Sequence, residues 1–277
     1  FIIENNGYGL STPTREQYNC ENLADRGIGY GIESHIIDGN NILEVYSKLS
    51  AIAEDMRANP HPVLIEMKTF RMRGHEEASG TKYVPQELFD EWKIKDPIAR
   101  FRNYLTEGGF LSEELDEKIR KELKEEIDTH WKLTQDEAGL EAHLETEMND
   151  VYKPYEHQSF EPSNETKNIR FIDAISEGLK QSFERHQNLV IMGQDIAEYG
   201  GAFKVTEGFV DLFGNERVRN TPICESIIVS AAAGLSINKY KAIVEMQFAD
   251  FVSTGFNPIV NLLAKQHYRW GEHADVV

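Results

Sequence analysis

Short apolar runs of strand character alternate with helical stripes in two stretches of this 277-residue sequence, and that alternation leaves few folds open. In the first stretch, Phe1-Ile2-Ile3 reads as one strand and Pro62-Val63-Leu64-Ile65 as another. Between them lie a long loop, a turn signal at Asp38-Gly39-Asn40-Asn41, and a helical stripe of Ile42, Val45, Tyr46, Leu49, Ile52 and Ala53. In the second stretch, the stripe Phe171, Ile175, Leu179, Phe183 precedes a buried-strand run, Asn188 to Gly193. A small-residue helix (Glu225 to Ile237), a strand (Ala242 to Phe248) and a helix (Phe251 to Tyr268) follow. Strands joined through helices run parallel, with the helices covering the faces of the sheet. The expected fold class is therefore α/β, with two parallel-sheet domains, each of them partial.

The segment between these stretches is of another kind. Residues 107–150 hold 15 acidic and 5 basic side chains, more than half of the chain's net charge of −18. Leu111, Leu115, Ile119, Leu123, Ile127 and Trp131 recur every fourth position, which predicts a long helix with one apolar edge. Ser112 is the expected N-cap, with Glu113 and Glu114 at the positive end of the helix dipole. A solvated face and a docking surface for a basic partner both fit this helix. Tyr155 to Lys167 is polar and reads as a linker. The expected division is thus 1–106, an acidic helical connector and linker over 107–167, and 168–277. Neither end carries the polar fringe common at domain termini, so the chain is expected to be a piece of a longer one.

The acidic balance argues against nucleic acid as a partner, because phosphate backbones demand clustered Lys and Arg. It argues equally against an anionic membrane surface. The longest nearly apolar run, Ile227 to Leu235, has nine residues, about half of what spans a bilayer. Cys20 and Cys224 give neither a disulfide framework nor a metal spacing, which makes a reducing cytoplasm the expected compartment.

Three segments could carry chemistry. Glu4-Asn5-Asn6-Gly7-Tyr8-Gly9 follows the first strand, at the end of a parallel sheet where ligands bind. Its neutral oxygens suit Mg²⁺ or Ca²⁺, and they equally suit a plain Asn-Gly turn. Arg71-Met72-Arg73-Gly74-His75 lies past another strand end and suits a phosphate or carboxylate, or is a surface basic cluster. Glu225 opens the small-residue helix and serves either as dipole compensation or as a desolvated carboxyl with a raised pKa. Glu245 and Asp250 share that ambiguity.

Taken in order, these pieces resemble the thiamine-diphosphate-dependent 2-oxo acid dehydrogenases, the decarboxylating components of multienzyme complexes. Asn5-Asn6-Gly7-Tyr8-Gly9-Leu10-Ser11-Thr12-Pro13-Thr14, Glu16-Gln17-Tyr18, Pro62 to Glu66, and Asp96-Pro97-Ile98-Ala99-Arg100 are similar to the α subunit. Gly193-Gln194-Asp195 through Gly201, Thr221 to Glu225, and Glu245 to Phe251 are similar to the β subunit. The last two segments come nearest to the branched-chain members. The chain therefore resembles an α–β fusion with two transketolase-like thiamine-diphosphate-binding domains.

The resemblance implies oxidative decarboxylation of a 2-oxo acid, branched-chain or pyruvate, with the acyl group passed to a lipoyl acyltransferase core by a homodimer. It implies that the Asn6 side chain and the Tyr8 carbonyl bind the Mg²⁺ bridging the cofactor's diphosphate. His75 would assist acyl transfer beside that diphosphate, with Arg71 in the same loop. Glu225 would hydrogen-bond the aminopyrimidine ring, with Ile223, Gln247 and Phe251 lining the pocket. The sequence departs from the family pattern at several points. The Asp of the Gly-Asp-Gly metal motif would lie before Phe1, and the β subunit's C-terminal domain after Val277. Glu76 stands where regulated members carry a phosphorylated Ser, and Gln194 stands where an acidic residue is usual. Two other readings are a transketolase-like enzyme with the same cofactor and a non-catalytic docking module.

Overall fold

The computed structural model describes every residue except 158, 160, 162, 272 and 273. The chain divides into two compact units, Phe1–Ala138 and Gly139–Val277.

The first unit is built on three parallel strands: β1 (Ile2–Asn5), β4 (Glu33–Asp38) and β5 (Val63–Lys68), in the order β1-β5-β4. A two-strand ribbon, β2 (Tyr8–Gly9) with β3 (Thr12–Pro13), and a short helix α1 (Arg26–Tyr30) lie between β1 and β4. The register pairs Asn5 with Lys68 and Lys68 with Asp38, so all three carboxyl ends stand side by side. As the middle strand, β5 is the most apolar, with Val63, Ile65 and Met67 buried. Helix α2 (Ile42–Ala58) crosses from β4 to β5 and packs Val45, Leu49 and Ile52 onto Ile37, Val63, Ile65 and Met67. Ile42 and Tyr46 of the expected stripe are exposed.

The expected long loop between the first strand and α2 thus contains a strand that the apolar pattern did not show. An edge strand pairs on one side only, and among the residues of β4 only Ile37 is buried. Its apolar signal is correspondingly weak.

Beyond β5, α3 (Gln86–Ile94) sets Phe89 edge-on and Trp92 stacked against Phe70, with centroids 5.4 and 5.6 Å apart. Helix α4 (Pro97–Glu107) starts with Pro97 in its first turn and Asp96 as N-cap, which accepts from the Ala99 amide at 2.8 Å. Arg100 ties α4 to Asp38 at 2.7 Å, and the Asn40 side chain donates to the Lys95 carbonyl at 3.0 Å. The acidic helix α5 (Glu113–Asp136) begins at the expected cap, Ser112, whose Oγ accepts from the Leu115 amide at 3.2 Å. Asp116 receives both Arg102 and Arg120, and the Arg120 hydrogen bond, opposed by partial burial, holds its carboxyl below the usual range. α5 therefore sits with the first unit, and the boundary falls at 138/139. Its apolar edge, from Leu115 to Trp131, is exposed throughout.

The second unit opens with the short helix α6 (Leu144–Asp150). Of the expected linker 155–167, residues 158, 160 and 162 lie outside the described residues, and the described ones form neither helix nor strand. Three parallel strands follow, β6 (Leu189–Gly193), β7 (Val218–Asn220) and β8 (Lys241–Val244), in the order β7-β6-β8. Every residue of β6 is buried, and its alternation serves two cores. Leu189 and Ile191 face Phe183, Ile196, Phe209 and Val218, beneath α7 (Phe171–Arg185) and α8 (Phe209–Phe213). Val190 and Met192 face Ile228 and Ala232 of α9 (Glu225–Ile237), whose small residues allow close approach. Arg217 caps the end of α7, donating to the carbonyls of Phe183 and His186 at 2.9 and 2.6 Å and to Leu189 at 3.0 Å.

Two expected elements are shorter than the pattern suggested. The strand beginning near Ala242 ends at Val244. The expected helix from Phe251 to Tyr268 is interrupted: 3₁₀ turns at Ala249–Ser253 and Leu263–Lys265 flank α10 (Phe256–Asn261), and α11 (Gln266–Trp270) closes the series. Pro258 lacks an amide hydrogen and so tolerates only the first turn of a helix, and α10 starts two residues before it. Among the described residues no helix is long and apolar enough to cross a membrane.

Candidate functional site

In the first unit, the carboxyl ends of β1 and β5 open onto a cavity of about 420 Å³, lined among others by Asn5, Asn6, Tyr8, Tyr18, Lys68 and Trp92. The loop after β1 is shaped by its own side chains. Asn5 Oδ1 accepts from the Gly7 amide at 3.1 Å and Asn6 Oδ1 from the Tyr8 amide at 3.0 Å, two successive Asx turns. Gly7 sits at φ +79°, which a residue with a Cβ adopts only with strain, and its carbonyl accepts from the Thr14 amide at 3.0 Å.

Beneath the loop lies a residue whose role the strand pattern concealed. Glu66 is fully buried in the middle of β5. Its Oε1 accepts from Asn5 Nδ2 and Lys68 Nζ, both at 2.6 Å, and its Oε2 from the Ala24 amide at 2.9 Å. Burial pushes this carboxyl up, but the hydrogen bonds from Lys68, Asn5 and Ala24 outweigh it and hold the pKa below the ordinary 4.5. The available signal was a lone carboxylate in an apolar strand, which folding tolerates only with partners in place. Glu66 thereby fixes Asn5, which also donates to the Tyr18 hydroxyl at 3.1 Å.

The basic loop meets the same place. A small cleft is lined by Asn6, Tyr8, Arg71, Arg73 and Tyr83. Arg71 donates to the Leu10 carbonyl at 2.9 Å and to the Tyr83 hydroxyl at 3.3 Å, while its Nη1 lies 3.3 Å from His75 Nδ1. The turn at 76–79 is closed by hydrogen bonds between Glu76 and Ser79. It passes so near Gly74 that a Cβ there would lie 1.9 Å from the Ser79 carbonyl oxygen.

As a donor set, Asn6 Oδ1 and the Tyr8 carbonyl are two neutral oxygens. Mg²⁺ asks for six oxygens with anionic members among them, so the loop fits it only together with a ligand such as a diphosphate. Arg15 on the main cavity, with Arg71 and Arg73 on the cleft, can supply the positive charge such a ligand needs, while the charge of Lys68 is already matched by Glu66.

In the second unit, two expected residues, Glu225 and Gln247, are joined through Gln194. Gln194, just past β6, donates from its side chain to Glu225 Oε1 at 3.1 Å, and Gln247 donates to the Gln194 carbonyl at 3.2 Å. Phe251 packs edge-on against Phe248 at 5.4 Å, and Phe248 against Phe203 at 5.8 Å. The Ile223 side chain is 83% exposed. The alternative of a desolvated Glu225 with a raised pKa is corrected. Its own backbone amide, outweighing partial desolvation, together with Gln194 and the Thr254 hydroxyl, holds it below the usual range. The raised carboxyl is Glu245, pushed up by burial and then by the negative charge of Asp195. Its Oε2 is buried without a hydrogen-bond partner among the described residues.

A family model described as "Dehydrogenase E1 component" matches residues 1–143, and one described as "Transketolase, pyrimidine binding domain" matches residues 167–272. The 2-oxoisovalerate dehydrogenase subunit alpha, mitochondrial, of Caenorhabditis elegans is 37% identical over 155 residues, which are 55% of this chain and 35% of the relative. The pyruvate dehydrogenase E1 component subunit alpha of Acholeplasma laidlawii is 38% identical over 133 residues, 47% of this chain and 39% of the relative. The 3-methyl-2-oxobutanoate dehydrogenase subunit alpha of Mycobacterium tuberculosis is 36% identical over 125 residues, 45% of this chain and 34% of the relative. The chain thus spans little more than a third of the length of these curated relatives. With the first model covering just over half of its residues, the chain belongs to the dehydrogenase E1 component family.

Proposed function

We propose that the protein this chain belongs to decarboxylates a 2-oxo acid and passes the acyl group to the lipoyl group of an acyltransferase core, using thiamine diphosphate and Mg²⁺. The observation that carries this reading is the meeting of the Asn6–Tyr8 loop and the Arg71–His75 loop at the carboxyl end of a parallel sheet, in a chain of this family.

Asn6 Oδ1 and the Tyr8 carbonyl hold the Mg²⁺, with Glu66 fixing the preceding Asn5 so that the loop is formed before ligand arrives. Arg71 serves the diphosphate and positions His75, whose imidazole handles a proton during acyl transfer. Bound thiamine diphosphate supplies the electron sink for carbon dioxide loss. In the second unit Glu225 hydrogen-bonds the pyrimidine, oriented by Gln194, and Gln247, Phe251 and the exposed Ile223 side chain receive the same ring. Branched-chain 2-oxo acids are the preferred substrates and pyruvate the next. The protein is proposed to work as a homodimer, and a cytoplasmic location agrees with its two free cysteines.

The test is lipoamide-dependent CO₂ release by the full-length protein, with branched-chain 2-oxo acids and pyruvate in parallel. Release that falls at least a hundredfold in a Glu225→Gln variant of unchanged circular dichroism is expected. No release from any 2-oxo acid, or full activity in that variant, would overturn the reading.

A further inference from the structure

At the opposite end of the first unit's sheet, Glu33 at the start of β4, Asp55 on α2 and His61 just before β5 converge. Among the described residues they are the one group of three or more His, Cys, Asp or Glu whose ligand atoms all lie within 4.8 Å of one another. Glu33 and Val63 pair at the amino ends of their strands and Asp38 and Lys68 at the carboxyl ends. Five residues of parallel strand put the cluster about 16 Å from the Asn6 loop's end of the sheet.

The separations are compatible with a coordination sphere. His61 Nε2 lies 3.3 Å from Glu33 Oε2 and 3.7 Å from Asp55 Oδ2. A tetrahedral ion with bonds of about 2.0–2.1 Å separates its ligands by about 3.3 Å. The tautomer is also set: His61 Nδ1 lies 2.5 Å from the Asn59 carbonyl, which can only accept, so Nδ1 carries the hydrogen. That leaves Nε2 to offer its lone pair toward the two carboxylates, and a backbone carbonyl on the far nitrogen is the usual companion of a metal-bound imidazole. His35 Nε2 lies 2.7 Å from the other oxygen of Glu33, and Asn59 Nδ2 donates to Asp55 Oδ1 at 3.1 Å, so both carboxylates are held from behind. The cluster is partly open to solvent, which gives an ion access and leaves the fourth position to water.

We propose that Glu33, Asp55 and His61 form a surface site for a divalent transition-metal ion such as Zn²⁺ or Co²⁺, with His35 as a positioning residue on Glu33. One imidazole among carboxylates selects this class over Mg²⁺ and Ca²⁺. A proton on His61 would hold the same groups together, and a titration separates the two.

The full-length protein, stripped of metal and then saturated with thiamine diphosphate and excess Mg²⁺, is titrated with Co²⁺ by visible absorption and with Zn²⁺ in competition. The expected result is one equivalent of Co²⁺ with the intense band of a tetrahedral ion, displaced by Zn²⁺. His61→Gln and Asp55→Asn each abolish that equivalent, and His35→Gln weakens it about tenfold or more. Both ligand variants alter partly exposed side chains, and circular dichroism verifies their folding. Absence of the equivalent in the wild type, an octahedral spectrum, or an unchanged titration in His61→Gln and Asp55→Asn would overturn the proposal.

Discussion

Replacing Glu66 by Gln changes one atom of a side chain with no solvent access, and its cost follows from the donors around it. Three of them converge on the carboxylate: Asn5 Nδ2, Lys68 Nζ and the amide of Ala24. A Gln amide offers a single oxygen. If that oxygen faces Asn5 and Lys68, the NH₂ group is set against the Ala24 amide, which belongs to a residue only 3% exposed. A buried orphan donor costs about 1–3 kcal/mol, and removing one partner of a buried pair about 3–5 kcal/mol. Lys68 is 36% exposed and can turn to water, which lowers the second figure. The expected loss is therefore about 3 kcal/mol.

With a urea m value of about 2 kcal/mol/M, that loss moves the unfolding midpoint down by about 1.5 M. Trp92, stacked on Phe70 in the first unit, reports it by fluorescence once Trp131 and Trp270 are changed to Phe. The effect has a signed pH dependence. The folded pKa of Glu66 is depressed below 4.5, so its contribution is complete above that value. It is lost as pH falls through the folded pKa, and the gap between the two proteins must close in acid. A midpoint shift under about 0.3 M at pH 7, or a gap that persists at the acid end, would refute the reasoning.

Gly74→Ala forces the 74–79 turn open, because the new Cβ would overlap the Ser79 carbonyl. Displacement of His75 should cut kcat/KM of the full-length enzyme at least tenfold, about 1.4 kcal/mol, with thermal unfolding little changed; wild-type rates would contradict this. Arg217→Met strips two carbonyls at the end of α7 and one at the start of β6 of this donor and should destabilise the second unit by about 2–4 kcal/mol in urea, read from Trp270. Glu245→Gln should raise the second unit's melting temperature. A raised folded pKa means stability is complete below 4.5 and is lost as pH rises through the folded value, so the gain appears on the neutral side and vanishes in acid.

Much of this architecture is a matter of local pattern and was legible in the residues. β5 and β6 read as strands because a middle strand of a parallel sheet is apolar on both faces. α5 reads as a helix, down to the Ser112 cap, because periodicity and capping act within a few residues. The motif series around Asn6, Arg71, Glu225 and Gln247 pointed to the family by the same local means. What depends on partners distant in sequence was decided only by the tertiary structure. β4 exists because β5 offers it an edge, six positions of register that no helical or strand period in Glu33–Asp38 announces. Glu66 is an anchor because Asn5 and Ala24, 61 and 42 residues away, supply its hydrogen bonds. Glu245 titrates high because packing buries it and Asp195, 50 residues away, adds its negative charge, whereas Glu225 is held low first by its own backbone amide and then by Gln194. Burial and pairing are properties of packed neighbours, so the protonation of Glu66 and Glu245 is set where the chain returns on itself.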